Sequence, residues 1–212
     1  MCDVTRLVHL KNAADRESVV TRIAGSLPDN VRERALIAPT SPGVRNGGDV
    51  LVRLRFESSD EWEAVRSQVD AALRGPDVRH VDGAEYVGGV GNDSWRGRRV
   101  EAPAPTVYRA LLLRVEDAAS PALVERFERE LLQMPQHVRS MTSWQLSRVQ
   151  TATGASRWTH VWEQTFTDLD GLLGEYMAHP VHWGLVDRWF DPECPDQIVK
   201  DRVCHSFCAL TD

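Results

Sequence analysis

Arg6-Leu7-Val8-His9-Leu10-Lys11 has a counterpart in Arg109-Ala110-Leu111-Leu112-Leu113-Arg114, and this repeat decides the fold. Each stretch is a mostly apolar run bounded by basic residues, and each opens the same series of elements. Further along, Leu27-Pro28-Asp29-Asn30-Val31-Arg32 aligns with Met134-Pro135-Gln136-His137-Val138-Arg139. Phe56 before Ser58-Ser59-Asp60 aligns with Phe166 before Thr167-Asp168.

Periodicity fills in the rest. The first half reads as a strand over 4–11, a helix over 15–27 and strands over 34–39 and 49–56. In the last of these Val50, Val52, Leu54 and Phe56 alternate with Leu51, Arg53 and Arg55. Ser58-Ser59-Asp60-Glu61 supplies a cap and an acidic first turn for a helix to Leu73, and 78–87 forms a fourth strand. The second half repeats the order: a strand over 107–115, then a helix from Ser120-Pro121 to Gln133 with proline at its first position. Strands over 140–149 and 158–166 follow. A helix over 168–189 is interrupted at Pro180, which lacks the amide hydrogen a helix needs, and a strand over 203–210 closes the unit.

Both halves are therefore βαββαβ, the split βαβ arrangement. A four-stranded half alone leaves one apolar face of its sheet wet, so the two open faces are expected to pack together. The predicted fold is α+β, with two fused ferredoxin-like βαββαβ units forming one dimeric-type α+β barrel. The N-terminal half spans 1–90, a Gly/Arg/Pro-rich linker 91–105, and a C-terminal half carrying the site 106–212.

Composition agrees with a globular chain. Of 212 residues 42% are hydrophobic, and seven tryptophans add large apolar area for a core. The formal charge of -6 is spread without a long basic block, which argues against a nucleic-acid partner. There is no apolar run of membrane-spanning length and no signal-peptide pattern at Met1-Cys2-Asp3. Cys2, Cys194, Cys204 and Cys208 are few and unevenly placed, so they read as reduced thiols in a cytoplasmic protein. The grouping of Cys194, Cys204, His205 and Cys208 matches no common zinc spacing, and no metal is expected. With the barrel closed by an internal pseudo-dimer, a monomer and a homodimer both stay open.

The chemistry is concentrated in two stretches, Trp158 to Phe166 and Glu175 to Trp183. Period-two alternation puts His160, Trp162, Gln164 and Phe166 on one face, read here as the barrel interior. Tyr176, His179 and His182, spaced by three, crowd one side of the following helix, and a tilt at Pro180 aims His182 inward. Aligned on Phe56 and Phe166, the first-half counterparts of His160, Tyr176, His179 and His182 are Val50, Arg66, Val69 and Ala72. The histidines belong to one half only, and the other half reads as a partner that closes the barrel. Trp144, Trp158, Trp162 and Trp183 offer flat apolar surface for an aromatic or polyene ligand.

Thr159-His160-Val161, a strand ending in Phe166, and then Tyr176-x-x-His179-Pro180-x-His182 together resemble the Dabb family of stress-responsive dimeric α/β-barrel proteins. The resemblance covers Val107 to about Leu210 and reaches the first half only through the repeat. It implies a cofactor-free cyclase or lyase acting on a carbonyl-rich, polyketide-like or aromatic small molecule. By the same resemblance His182 is the base, Tyr176 hydrogen-bonds within the site and His160 lines the pocket. Where the family enzyme has a further histidine, this chain has Arg109. A guanidinium is no base at neutral pH, but it can bind a carboxylate or stabilise an enolate. Trp162, Gln164, Trp144, Trp183 and His179 complete the candidate substrate contacts.

Other readings stand beside this one. His160 and His179 also fit structural roles. Arg6 and Arg109 recur at equivalent positions, which fits an ion-paired contact between the halves. Related barrels include haem proteins, so haem on His160, His182 or His205 is an alternative, as is a non-catalytic stress-response module that binds a small molecule.

Overall fold

The computed structural model describes residues 1–88 and 95–210. Its first half runs through β1 (Cys2–Leu10), α1 (Arg16–Gly25), the single turn α2 (Asp29–Arg32), β2 (Leu36–Pro39), β3 (Val50–Phe56), α3 (Ser59–Leu73) and β4 (Val78–Tyr86). Of the expected linker, residues 91–94 lie outside the described residues, and the rest contains a short strand, β5 (Arg96–Arg98). The second half comprises β6 (Val107–Val115), α4 (Pro121–Leu131), α5 (Met134–His137), β7 (Met141–Thr153), β8 (His160–Phe166), an irregular helical segment and β9 (Val199–Ala209). The expected caps are in place: Ser58 Oγ accepts from the Glu61 amide and Ser120 Oγ from the Leu123 amide. All four cysteines are free thiols. Among the described residues no helix is long and apolar enough to cross a membrane.

The strand order is β2-β3-β1-β4 followed by β7-β8-β6-β9, so both halves share the order second, third, first, fourth. Two seams join them. At one, β4 pairs antiparallel with the far end of β7, from Gly83 opposite Thr153 to Tyr86 opposite Val149. This pairing explains why β7 runs four residues past its predicted end. At the other seam the loop after β2 docks on β9. Arg45 and His205 exchange backbone hydrogen bonds of 3.0 and 2.8 Å, and the Ser41 amide donates to the Phe207 carbonyl at 3.0 Å. Gly47 permits this approach, because a Cβ there would sit 2.4 Å from the His205 carbonyl oxygen.

The concave faces bury one another, as expected. Leu7, Leu51 and Ala84 of the first half share a core with Ala110, Leu112 and Val161 of the second. The convex faces carry each half's own helices. Val4, Val8 and Leu54 pack with Val19, Ile23 and Trp62, and Leu111, Leu113 and Trp162 pack with Phe127, Leu131 and Trp189. One expectation is overturned here. His160, Trp162, Gln164 and Phe166 face the helices, and the barrel interior receives their alternates, Val161 among them. The alternation was legible, but both faces are apolar enough that it could not say which one turns inward.

Two buried carboxylates clamp the halves. Glu163 accepts from the Tyr108 hydroxyl at 2.6 Å, from Arg53 Nε of the first half at 3.0 Å and from Gln145 Nε2 at 3.0 Å. Gln145 also donates to Asp3 at 3.0 Å. Burial, and then the Glu163 charge, push the Asp3 carboxyl up to about 6. Toward the opposite end of these strands, Asp82 Oδ2 lies 3.1 Å from His9 Nε2 and 3.5 Å from Arg202 Nη2 of the second half. Its Oδ1 accepts from the Ala155 amide at 2.7 Å. Burial alone would raise the Asp82 carboxyl, but the His9 ring, the Ala155 amide and Arg202 outweigh it and hold the group at about 2.

Because Asp82 titrates below its ordinary value near 3.8, its contribution is present above about pH 4 and fades as pH falls toward 2. This carboxyl alone accounts for about 2 kcal/mol of acid sensitivity. Urea unfolding of Asp82→Asn should therefore show a smaller stability loss between pH 5 and pH 2 than the wild type. Equal losses in the two proteins would count against the clamp.

Candidate functional site

Arg109 on β6 and Gln164 on β8 are register partners, and the Arg109 guanidinium donates to Gln164 Oε1. On the other side Arg109 is paired with Phe207 of β9 and Leu111 with His205, which puts His205 on the same helix-covered face. Over this face lies the segment predicted as one long helix. It winds as π-helix over Gly171–Tyr176, is interrupted at His179-Pro180 as expected, and resumes as π-helix over His182–Val186 and a 3-10 turn over Asp187–Trp189. Pro180 has no amide hydrogen to continue the ladder, and the wider π turns rotate side chains away from regular helical positions. The segment is seated by Gly171 against Ser140, where a Cβ would lie 2.5 Å from the serine Cβ. Glu175 holds it by accepting from the Arg139 and Ser140 amides at 2.8 and 3.0 Å.

This winding buries Tyr176 and His182 together, their rings edge to face at 4.9 Å. The Arg109 guanidinium lies 5.1 Å from the Tyr176 ring centroid, with Nη1 donating to the phenolic oxygen at 3.5 Å. His182 Nδ1 is 3.2 Å from the Asp187 carboxylate at the rim. Burial, followed by the Arg109 charge and by His182 in its protonated form, pushes the His205 imidazole down to about 2, so it is a neutral ring at working pH. Its Nε2 is buried and finds no hydrogen-bond partner among the described residues. The sequence offers His205 as a haem ligand and as one member of a cysteine-rich grouping, not as a partner of Arg109. The available signal was its alternation against Cys204 and Cys208 on a strand next to β6.

Arg109 is 4% exposed, burial pulls its pKa down, and among the described residues no carboxylate reaches it. The first half supplies the contrast. Arg6, its counterpart, is also buried against the helices, but it donates to Glu85 at 2.6 Å, and Arg66 reaches the same carboxylate at 2.7 Å. Glu85 stands opposite Val4, and the equivalent position opposite Val107 is Ala209. One arginine is neutralised and the other is an uncompensated guanidinium. Arg6 and Arg109 therefore do not form an ion-paired contact between the halves, since Arg6 is satisfied within its own.

The other expected residues lie elsewhere. His160 is four residues along β8 from Gln164, about 13 Å away. Its Nε2 meets Glu128 at 3.0 Å and its Nδ1 the Thr159 hydroxyl at 2.8 Å, while Arg148 donates twice to Glu128. Trp162 is core, packed with Leu111 and Trp189. Trp144 is half-buried against Gly97 of β5. His179 Nδ1 accepts from the Val181 amide at 3.1 Å. Trp183 is 65% exposed and donates to the Met177 carbonyl at 3.0 Å. What the fold assembles is Arg109, Gln164, Tyr176, His182 and His205. A guanidinium, a phenol and two imidazoles around one uncompensated charge can stabilise an oxyanion and move a proton.

His160 does not offer a free nitrogen to a haem iron. Both nitrogens of His160 are engaged, and the space beside His182 and His205 is filled by Phe166, Leu172, Tyr176 and Phe207, each at most 1% exposed.

Residues 107–204 match the family model of the Stress responsive A/B Barrel Domain (Dabb), and the second half is a domain of this family. No curated protein matches the chain in sequence. Solved structures resemble it over both halves. An anthrone oxidase-like protein is 7% identical with a TM-score of 0.73, covering 100% of this chain and 91% of that one. Chlorite dismutase from Candidatus Nitrospira defluvii, in a mutant form, is 9% identical with a TM-score of 0.56, covering 99% and 91%. A candidate monooxygenase from Fusobacterium nucleatum is 9% identical with a TM-score of 0.59, covering 99% and 92%. At these identities the likeness is one of fold.

Two measurements separate the cluster from its surroundings. His205 ring nitrogens should keep neutral-imidazole shifts in NMR spectra from pH 8 down to about pH 4, where an ordinary histidine has titrated; a protonation midpoint near 6 would contradict the buried placement. His160→Ala should cost about 1–3 kcal/mol in urea unfolding by leaving Glu128 short of a donor, yet leave the His205 resonances in place. His182→Ala should move those resonances.

Proposed function

We propose that the second half binds a carbonyl-bearing small molecule in the cleft between its sheet and the π-helical segment and acts on it as a lyase or cyclase by acid–base chemistry. The observation that carries this reading is Arg109, a buried guanidinium with no carboxylate among the described residues, where its first-half counterpart has one. Such a charge is matched to an oxyanion. His182 takes the proton from carbon beside the carbonyl, and Arg109 with the Tyr176 hydroxyl holds the enolate oxygen that forms. Gln164 fixes the guanidinium, and neutral His205 adds a hydrogen-bonding group on the β9 side. The resulting carbanion equivalent then attacks a second carbonyl or expels a leaving group, and His182 returns the proton. Such chemistry suits a polyketide-like or aromatic substrate and asks for no group beyond the chain's own side chains.

A non-catalytic module that binds a small molecule is the second reading. Deuterium exchange at the activated carbon of acetylacetone or an aryl 1,3-diketone, followed by NMR, distinguishes the two. The wild type should accelerate exchange, and His182→Ala should lower the protein-catalysed rate by about 10²–10⁴-fold. Exchange no faster than in buffer would favour the binding module. A rate unchanged in His182→Ala would remove this residue as the base.

A further inference from the structure

Strands β6 and β8 look onto two different volumes. Arg109 and Gln164 face the helices, whereas their neighbours Tyr108, Glu163 and Thr165 face the barrel interior, where a cavity of about 750 Å³ opens at the mouth. Both halves line it: Arg53 and Arg55 come from β3, and Tyr108, Gln145 and Glu163 from the second half. The volume lies within the usual range for small-molecule pockets.

The third wall is β5, in the Gly/Arg/Pro-rich stretch between the halves. It pairs antiparallel with β7, with Arg96 opposite Gln145 and Arg98 opposite Ser143. Directly opposed residues share a face, so both arginines turn toward the cavity with Gln145. Arg99 holds the strand in place by donating to the carbonyls of Met141 and Val138 at 2.9 and 3.1 Å. The deeper arginines each have an acid: Arg53 meets Glu163 at 3.0 Å, and Arg55 lies 3.4 Å from Asp3. Arg96 and Arg98 add two further positive charges at the rim. The mouth is thus cationic, although the chain as a whole carries a formal charge of -6. Apolar surface is present too, from the Tyr108 ring, Leu36 and Leu210.

We propose that the barrel mouth is a second ligand site, built by both halves and distinct from the sheet–helix cleft, for an organic anion with a flat apolar body, an aromatic carboxylate. Arg96 and Arg98 receive the carboxylate, and the Tyr108 ring with Leu36 and Leu210 receives the flat body. Glu163 and Gln145 at the floor are placed to hydrogen-bond a hydroxyl on its far side. This site does not depend on the proton-transfer role of His182.

Titration of the full-length protein with 2-naphthoate, read by calorimetry, tests it. Saturable one-to-one binding is expected, weakening as salt is raised. The double reversal Arg96→Glu/Arg98→Glu, made at exposed positions, should weaken it at least about tenfold, while Arg96→Gln/Arg98→Gln weakens it less. The neutral analogue 2-naphthalenemethanol should bind at least about tenfold more weakly than 2-naphthoate. His182→Ala should bind naphthoate like the wild type even if it abolishes carbon-acid exchange, so failure of one site is distinguishable from failure of the other. The proposal is overturned by absence of saturable binding, by affinity indifferent to the charge reversals, or by loss of binding in His182→Ala.

Discussion

A carboxylate sealed inside a protein must find donors, and in this barrel they come from across the seam. Glu163 of the second half is held by Arg53 of the first, and Asp82 of the first receives Arg202 and the Ala155 amide of the second. Removing one partner of such a pair typically costs about 3–5 kcal/mol, because the remaining charge stays buried. The concave faces therefore close in one register rather than merely adhering. Within the second half β9 pairs with β6 and brings His205 to the helix-covered face. The loop over 41–47 of the first half sits on the backbone of this same strand. The half that lacks the site histidines thereby contacts the strand that carries one of them.

Within this frame the two clefts are a controlled comparison. Each has an arginine on its first strand, buried beneath helices. In the first half Glu85 neutralises it, and Gly83 leaves room for the Arg6 side chain, whose Cδ would lie 2.6 Å from a Cβ there. In the second half the matching positions hold Ala209 and Phe207, and aromatic and imidazole groups replace the acid. The same scaffold thus gives a satisfied ion pair on one side and a reserve of positive charge on the other.

The βαββαβ repeat, the element order and the interruption at Pro180 were legible because they rest on local signals: alternation, capping serines and a missing amide hydrogen. The inward face of β8 was not, since Val161 and Trp162 are equally apolar and only tertiary packing separates them. The place of His205 beside Arg109 was not legible because it comes from the neighbouring strand β6, a relation no spacing along the chain encodes. His160 misled in the opposite direction: its place on the strand was right, but Glu128 on α4 claims its ring. The strand β5 was hidden in a stretch whose glycine, arginine and proline content reads as connector.

Joining the halves through 87–106 has a consequence for how such a molecule can change. In a symmetric pair of identical subunits each substitution is made twice, so an acid introduced beside one arginine appears beside both. A single chain carrying both halves escapes that rule. Glu85 can quiet one cleft while Ala209 leaves the other charged, and each half is free to specialise without its twin having to follow.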